Sequence, residues 1–363
     1  MSSMPPVPAH QSHERSAADE FLIRPSAPSD LESFYALARL AGAGFTSLPV
    51  NEALLTERLA GSERAFAGGP GVLMLALEDR RTAMVAGCAA VKPAGTPRPD
   101  FLNFRIEDGN LSLKPTTDYR DLTEVGSLLL HPDYRKSGIG PWLSRSRYLL
   151  MAEELERFGA TIFSELRGVV NDDDRSPFYD AVCLPHFNCS FAEADALSAY
   201  GEQARLNALL PKHPILIEQL APDARAAIGN PHRAGRRALD YLKDDGFRYQ
   251  GVVDLLDGGP VVVASSRSIR TIRESRLVRL RSGRQSEDSS LAAYIAVGSG
   301  PSFRCCRGTV TIDRDVAICS VDVLAKLEAR TGAVARLHLV NEMKPRSDQR
   351  PLAASDMAAS CEL

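Results

Sequence analysis

Apolar positions along this chain follow two rhythms, and their alternation lays out its elements. Residues 21–24 form a short β-type run ended by Pro25. Ser29 and Asp30 then offer a cap to a helix whose apolar positions Leu31, Phe34, Leu37, Ala38 and Leu40 share one face. A polar turn carrying Thr46-Ser47-Leu48-Pro49 leads into a second helix over 51–59. Residues 71–77 and 84–91 read as two strands of a hairpin, joined by the charged turn Glu78-Asp79-Arg80-Arg81.

The middle of the chain reads strand, glycine turn, helix, strand. A β-type run over 122–130 is closed by His131-Pro132. A helix over 141–158 follows, with Pro141 suited to the first turn and Gly159 to the stop; a strand over 160–170 comes next. Residues 205–229 are expected to be helical, interrupted at Pro211-Lys212-His213-Pro214. A helix over 236–245 and a strand over 249–256 precede the turn Asp257-Gly258-Gly259-Pro260. Beyond it, 261–263, 291–297, 307–312 and 334–340 are short β-type runs, and only 321–329 has helical spacing. The division this predicts is a flexible extension (1–20), an α/β domain (21–257), a small mostly-β subdomain (258–341) and a polar tail (342–363).

Composition narrows the function classes. Hydrophobic residues make up 44% and charged residues 25%, the balance of a soluble globular protein, and the net charge of −3 gives no reason to expect nucleic acid or a membrane surface as partner. No apolar stretch approaches the roughly 18 residues needed to span a bilayer. The extension over 1–20 lacks an apolar signal-peptide core. Seven scattered cysteines without a CxxC pair predict reduced thiols in a cytoplasm and no structural metal.

The segment with the most chemistry is Arg135-x-x-Gly138-x-Gly140, between a strand and a helix. Glycines there tolerate backbone geometries that a Cβ opposes and let amide N–H groups approach an anion. The helix adds its unpaired N–H groups and the positive end of its dipole. The result is a pyrophosphate cradle. It is neither the dinucleotide fingerprint nor a P-loop.

That spacing resembles the coenzyme A motif of the GNAT superfamily of N-acyltransferases, in which the preceding strand lies along the pantetheine arm. A longer resemblance, over 21–340, is to the arginine N-succinyltransferase family. It is carried by Phe45-Thr46-Ser47-Leu48-Pro49-Val50-Asn51-Glu52, Asp133-Tyr134-Arg135-Lys136, Leu143-Ser144-Arg145-Ser146-Arg147-Tyr148, Glu165-Leu166-Arg167-Gly168-Val169, Leu210-Pro211-Lys212-His213-Pro214 and Asp257-Gly258-Gly259-Pro260.

The resemblance implies an α/β (α+β) GNAT-like fold with a small mostly-β C-terminal part. It also implies transfer of succinyl from succinyl-CoA, as co-substrate with no permanently bound cofactor, to the α-amine of L-arginine. The proton donor falls on His232 and the acyl-CoA contact on the backbone of Leu128, with Leu130, Arg135, Gly138 and Gly140 completing the coenzyme side. Glu52 and Glu165 are candidates for the guanidinium, and Arg167, Arg273 or Arg276 for a carboxylate. On chemistry alone His213 equals His232.

The chain departs from the family at Ala41-Gly42-Ala43-Gly44 and at Asn188-Cys189-Ser190-Phe191, where the family commonly has an aspartate just before the phenylalanine. Ornithine or another basic amino acid is the competing acceptor. A non-catalytic CoA-binding subunit is the competing class, opposed by the presence of Arg135, Gly138, Gly140 and His232. Both a homo-oligomer and an assembly with a related chain are compatible with the resemblance.

Overall fold

The first β-type run is β1 (Phe21–Pro25), and α1 (Leu31–Ala41) buries Phe34, Leu37 and Ala38 on the face its spacing predicted. The computed structural model describes residues 20–41, 48–98, 103–107, 111–135, 138–285 and 289–340. Nearly all of the expected extension and tail, Ala41-Gly42-Ala43-Gly44 past its first residue, Thr46-Ser47, and Lys136 and Ser137 of the glycine turn lie outside the described residues.

Asn51 caps α2 (Glu52–Phe66), its Oδ1 accepting the Leu54 N–H at 3.0 Å. The helix runs beyond the expected 59 because Leu55, Leu59, Ser62 and Phe66 continue a buried stripe past Gly61. The expected hairpin is β2 (Leu73–Asp79) with β3 (Met84–Lys92), from Leu73↔Val91 to Asp79↔Met84. A second hairpin, β4 (Asn103–Glu107) with β5 (Ser112–Thr116), has no counterpart in the sequence reading, since Lys114 and Pro115 break the apolar rhythm.

Strand, turn, helix and strand follow as expected: β6 (Thr123–Leu130), α3 (Ile139–Glu153) and β7 (Thr161–Glu165). Three boundaries differ. The helix starts at Ile139, so Gly140 belongs to its first turn, and a 3-10 turn over Leu155–Phe158 separates its end from Gly159. Strand β7 stops at Glu165, after which Gly168 bridges Pro231 outside the sheet.

The helical stretch expected over 205–229 is kept near its two ends only. Helices α4 (Pro177–Val182), α5 (Leu184–Phe187), α6 (Phe191–Ala199) and α7 (Gln203–Asn207) precede the two-residue β8 (Ile215–Leu216) and α8 (Pro222–Ala227). Pro177 and Pro222 each open their helix, where a missing N–H costs nothing. These short helices share a core built on Phe178, Tyr179, Phe187 and Phe191.

Helix α9 (Arg236–Asp244) and β9 (Arg248–Asp254) match expectation. β10 (Pro260–Ser265), the first run beyond the turn, pairs with β7 and β9 in the middle of the main sheet. α10 (Arg270–Glu274) then leads to β11 (Arg276–Ser282), β12 (Leu291–Val297), β13 (Arg304–Asp313), β14 (Val316–Cys319), α11 (Val321–Lys326) and β15 (Val334–Leu339). The expected mostly-β C-terminal part is present, and it closes on itself in the order β12-β15-β11-β14-β13, with β13 returning to β12. Closure leaves this small barrel no free edge strand. Val278, Ile295, Val310 and Leu337 fill it, with Val323, Leu324 and Leu327 from α11 and its end.

The barrel joins the main sheet through β13 and β1, at Ile23↔Cys305. From there the sheet runs β1-β2-β3-β6-β7-β10-β9-β4-β5-β8. Helices α1 and α2 pack with Met74, Ala76, Cys88 and Ala90 of β2 and β3. Trp142, Leu143, Leu149 and Leu150 of α3 join Leu75, Val125, Ile162 and Val262 in the largest core. No helix among the described residues is long and apolar enough to cross a membrane.

Candidate active site

β6 and β7 are parallel, and they pair only at Thr123↔Ile162 and Glu124↔Phe163. Beyond that point β6 stays on β3, with Gly126 opposite Ala90 and Leu130 opposite Gly87, while β7 turns towards β10. The sheet therefore splits at the carboxyl ends of two parallel strands, a place where open α/β sheets bind ligands. A register shift between Cys88 and Ala90 and a positive φ of 52° at Ser127 mark a bulge in β6 where the split opens.

The bulge sets which backbone groups face the opening. The Ser127 carbonyl accepts the Cys88 thiol at 3.3 Å, and the Leu129 carbonyl lies against Gly87, so both point to β3. Leu128 and Leu130 alternate with them and turn their backbone towards the split. The buried guanidinium of Arg147 holds this stretch from α3. Its Nη1 donates to the Gly126 carbonyl at 3.3 Å, and its Nε and Nη2 donate to the Ser144 carbonyl and hydroxyl at 2.9 and 2.8 Å.

One end of the split meets the N-terminus of α3. Gly138 is the N-cap, with φ +84° and ψ −9°, a left-handed conformation that a Cβ would strain. Arg135 is exposed, and its Nε donates to the Leu130 carbonyl at 3.1 Å, tying the turn to the strand. Gly140 has the Tyr241 ring of α9 against it, 3.3 Å from where a Cβ would stand. The α3 terminus leaves its first amides without helical partners, with the Tyr241 ring and the Arg307 guanidinium beside it.

The other end gathers ionisable side chains. Glu165, the last residue of β7, accepts from Asn103 Nδ2 of β4 at 2.8 Å. Desolvation pushes its carboxyl up to about 8, helped by the nearby charges of Glu124 and Asp254 and opposed by Arg98. Glu124 lies 3.8 Å from Lys92 Nζ and 3.6 Å from Arg98 Nη2, so anionic and cationic groups share this face of the sheet. Two residues on, the Arg167 carbonyl accepts the His232 N–H at 2.7 Å. Arg167 Nε is buried without a hydrogen-bond partner among the described residues.

His232 is half-buried and heads a 3-10 turn over Arg233–Gly235. Its Nδ1 accepts the Ala234 N–H at 3.3 Å. Burial, then the Arg167 and Arg233 guanidinium groups, lower its pKa, so the imidazole is neutral near pH 7. With Nδ1 occupied as acceptor, the proton belongs on Nε2, which is left to donate.

The structure thus gathers the sequence candidates into two groups: Leu128, Leu130, Arg135, Gly138 and Gly140, and Glu165, Arg167 and His232. Glu52 stands exposed in the first turn of α2, linked to neither group by a hydrogen bond or ion pair among the described residues. Arg273 is exposed, and Nη2 donates to Glu274 at 3.3 Å. His213 is exposed on its turn. Sequence reasoning missed Asn103, Glu124, Arg147, Tyr241 and Arg307. Arg147 stood in a motif that carries the resemblance and Glu124 lies on β6 itself; Asn103, Tyr241 and Arg307 are single polar residues on elements that folding brings in from elsewhere.

A family model described as arginine N-succinyltransferase beta subunit matches residues 21–271. Arginine N-succinyltransferase of Escherichia coli (strain 55989 / EAEC) is 32% identical over 335 residues, spanning 87% of this chain and 96% of its own length. The enzyme of the same name from E. coli (strain K12 / DH10B) is 34% identical over 302 residues, 78% of this chain and 87% of its own. Among solved structures, arginine/ornithine succinyltransferase subunit AI from Pseudomonas aeruginosa matches with a TM-score of 0.79 at 27% identity, covering 89% of this chain and 99% of that one.

Proposed function

Since the chain belongs to the arginine N-succinyltransferase family, we propose that it transfers the succinyl group of succinyl-CoA to the α-amine of L-arginine in the split between β6 and β7. The observation that carries the reading is that split: an unpaired strand edge with an anion-ready helix terminus at one end and a neutral histidine and a raised carboxyl at the other.

In this reading the pantetheine arm lies along the open edge of β6 and takes backbone hydrogen bonds from Leu128 and Leu130. The pyrophosphate rests on the first turn of α3 at Gly138 and Gly140, with Arg135 beside it. The acceptor enters as a cation and is met by the carboxyl groups of Glu165 and Glu124, the latter shared with Lys92 and Arg98. Glu165 takes a proton from the α-ammonium, and the free amine attacks the thioester carbon. The C–S bond breaks as the tetrahedral intermediate collapses, and the second amine proton passes to the departing thiolate, which the His232 Nε2–H stabilises by donating a hydrogen bond. The products are a succinyl amide, free thiol and one proton. Arg167, beside His232, is the cation placed to meet a substrate carboxylate. A cytoplasmic location and assembly with a related chain belong to the same proposal.

The P. aeruginosa relative is named for both arginine and ornithine, so the acceptor is tested directly. Free-thiol release is measured with succinyl-CoA and acetyl-CoA against arginine, ornithine and lysine. The expected result is highest kcat/KM for succinyl-CoA with arginine. Equal rates with acetyl-CoA, or no thiol release with any basic amino acid, would overturn the reading.

A further inference from the structure

Arg307 stands outside every motif in the sequence, on β13 of the barrel, yet its guanidinium lies on the glycine turn of the main domain. A Cβ added at Gly138 would collide with Arg307 Nη1 and meet its Cζ at 3.2 Å. The placement follows from how the barrel docks. Arg307 is directly opposite Tyr294 of β12, and side chains of opposed residues share a sheet face. Tyr294 stacks on Trp142 of α3 with centroids 6.5 Å apart and 24° between planes. Cys305, on the same face of β13 two residues before Arg307, has its sulfur 3.3 Å from Trp142 Nε1. Both Trp142 and Tyr294 are buried, so the barrel holds Arg307 against the start of α3 at a fixed position.

The electrostatics of that position call for a third party. A helix N-terminus carries roughly half a positive charge, and a guanidinium beside it is repelled unless an anion lies between them. Arg307 is half-buried and makes no salt bridge with a carboxylate among the described residues. Elsewhere on the barrel, Arg304 is paired with Glu328 and Arg336 with Glu153.

We infer that Arg307 is a phosphate-binding residue, by which the C-terminal barrel closes the coenzyme site over the pyrophosphate held at Gly138. The inference rests on the proposed coenzyme site and adds a second cationic wall to it, contributed by a separate part of the fold. A planar guanidinium suits this task, since it binds two phosphate oxygens at once. The barrel then has a role in donor recognition as well as in folding.

The test measures binding of CoA, dephospho-CoA and pantetheine to the full-length protein by calorimetry. Arg307→Gln is expected to weaken CoA and dephospho-CoA by about 10- to 100-fold, the range for one lost charge-assisted contact. Pantetheine, which lacks the pyrophosphate, should bind both proteins within about twofold. Arg307→Lys keeps the charge without the fork, and an intermediate loss is expected; it also serves if the Gln variant melts early. Unchanged CoA affinity, or equal losses for all three ligands, would overturn the inference. A loss for CoA but not for dephospho-CoA would move Arg307 to the 3′-phosphate and overturn the pyrophosphate assignment. Failure of the unsubstituted protein to bind CoA at all would instead remove the coenzyme site on which the inference stands.

Discussion

The two ends of the split between β6 and β7 are built from different materials. The coenzyme end is backbone: the bulged edge of β6, the left-handed Gly138 and the first turn of α3. The acceptor end is side chains: Glu165 from β7, Asn103 from β4, Glu124 from β6 and His232 from the loop before α9. A backbone site is contiguous in sequence and tolerates little change at its glycines. A side-chain site is assembled from distant segments, and each member is tuned by what surrounds it. The first should fail through geometry, the second through protonation.

The largest expected effect is at the backbone end. Gly138→Val puts a β-branched residue at φ +84° and drives its Cβ into Arg307. CoA affinity should fall by about a hundredfold or more, given strain of order 1–3 kcal/mol and the lost anion contacts. Calorimetry on protein with an unchanged melting profile measures this. Retained affinity would break the contrast, because the turn would then be dispensable.

At the side-chain end, His232→Ala should lower kcat by about two orders of magnitude and leave CoA affinity nearly unchanged. The exposed His213 provides the control: His213→Ala should stay within about twofold of the unsubstituted enzyme, the behaviour of surface sites. Reversal of these two outcomes would detach the proton donor from the Arg167–His232 contact.

These two ends also differ in how legible they were. Arg135, Gly138 and Gly140 announce the coenzyme end in six residues, because phosphate binding by backbone needs that local order. The strand–turn–helix–strand unit around them was equally readable. His232 and Glu165 came from the family resemblance, and Asn103, Glu124 and Arg307 left no local trace. The end of α7 and all of α8 fell within the helical stretch expected over 205–229, but α4, α5 and α6 and β4, β5 and β8 were not visible, since their apolar residues pack by tertiary context rather than by periodicity. The main-sheet place of β10 was hidden for a related reason: Val261, Val262 and Val263 make a strand in either setting, and only pairing with β7 and β9 decides which.

A smaller effect concerns pH. Glu165 is held protonated up to about 8, so kcat/KM should rise with pH through that region as the carboxylate forms. Glu165→Gln should remove this limb and lower the rate above it by about tenfold or more. The linked stability has the opposite sense. The folded state binds a proton that an unfolded glutamate, titrating near about 4.3, has already lost. This contribution is therefore full below that value and is lost as pH rises through about 8. Melting curves of the Gln variant should lack that decline.

The central claim is that coenzyme A occupies the edge of β6 left free by β7. Hydrogen exchange of the amides in Gly126–Leu130, followed with and without CoA, tests it at the atoms concerned. The account predicts that the Leu128 and Leu130 amides exchange readily in the free protein and become protected when CoA binds, together with the first turn of α3. CoA binding with no change at Leu128 and Leu130, and protection confined to another part of the sheet, would contradict it.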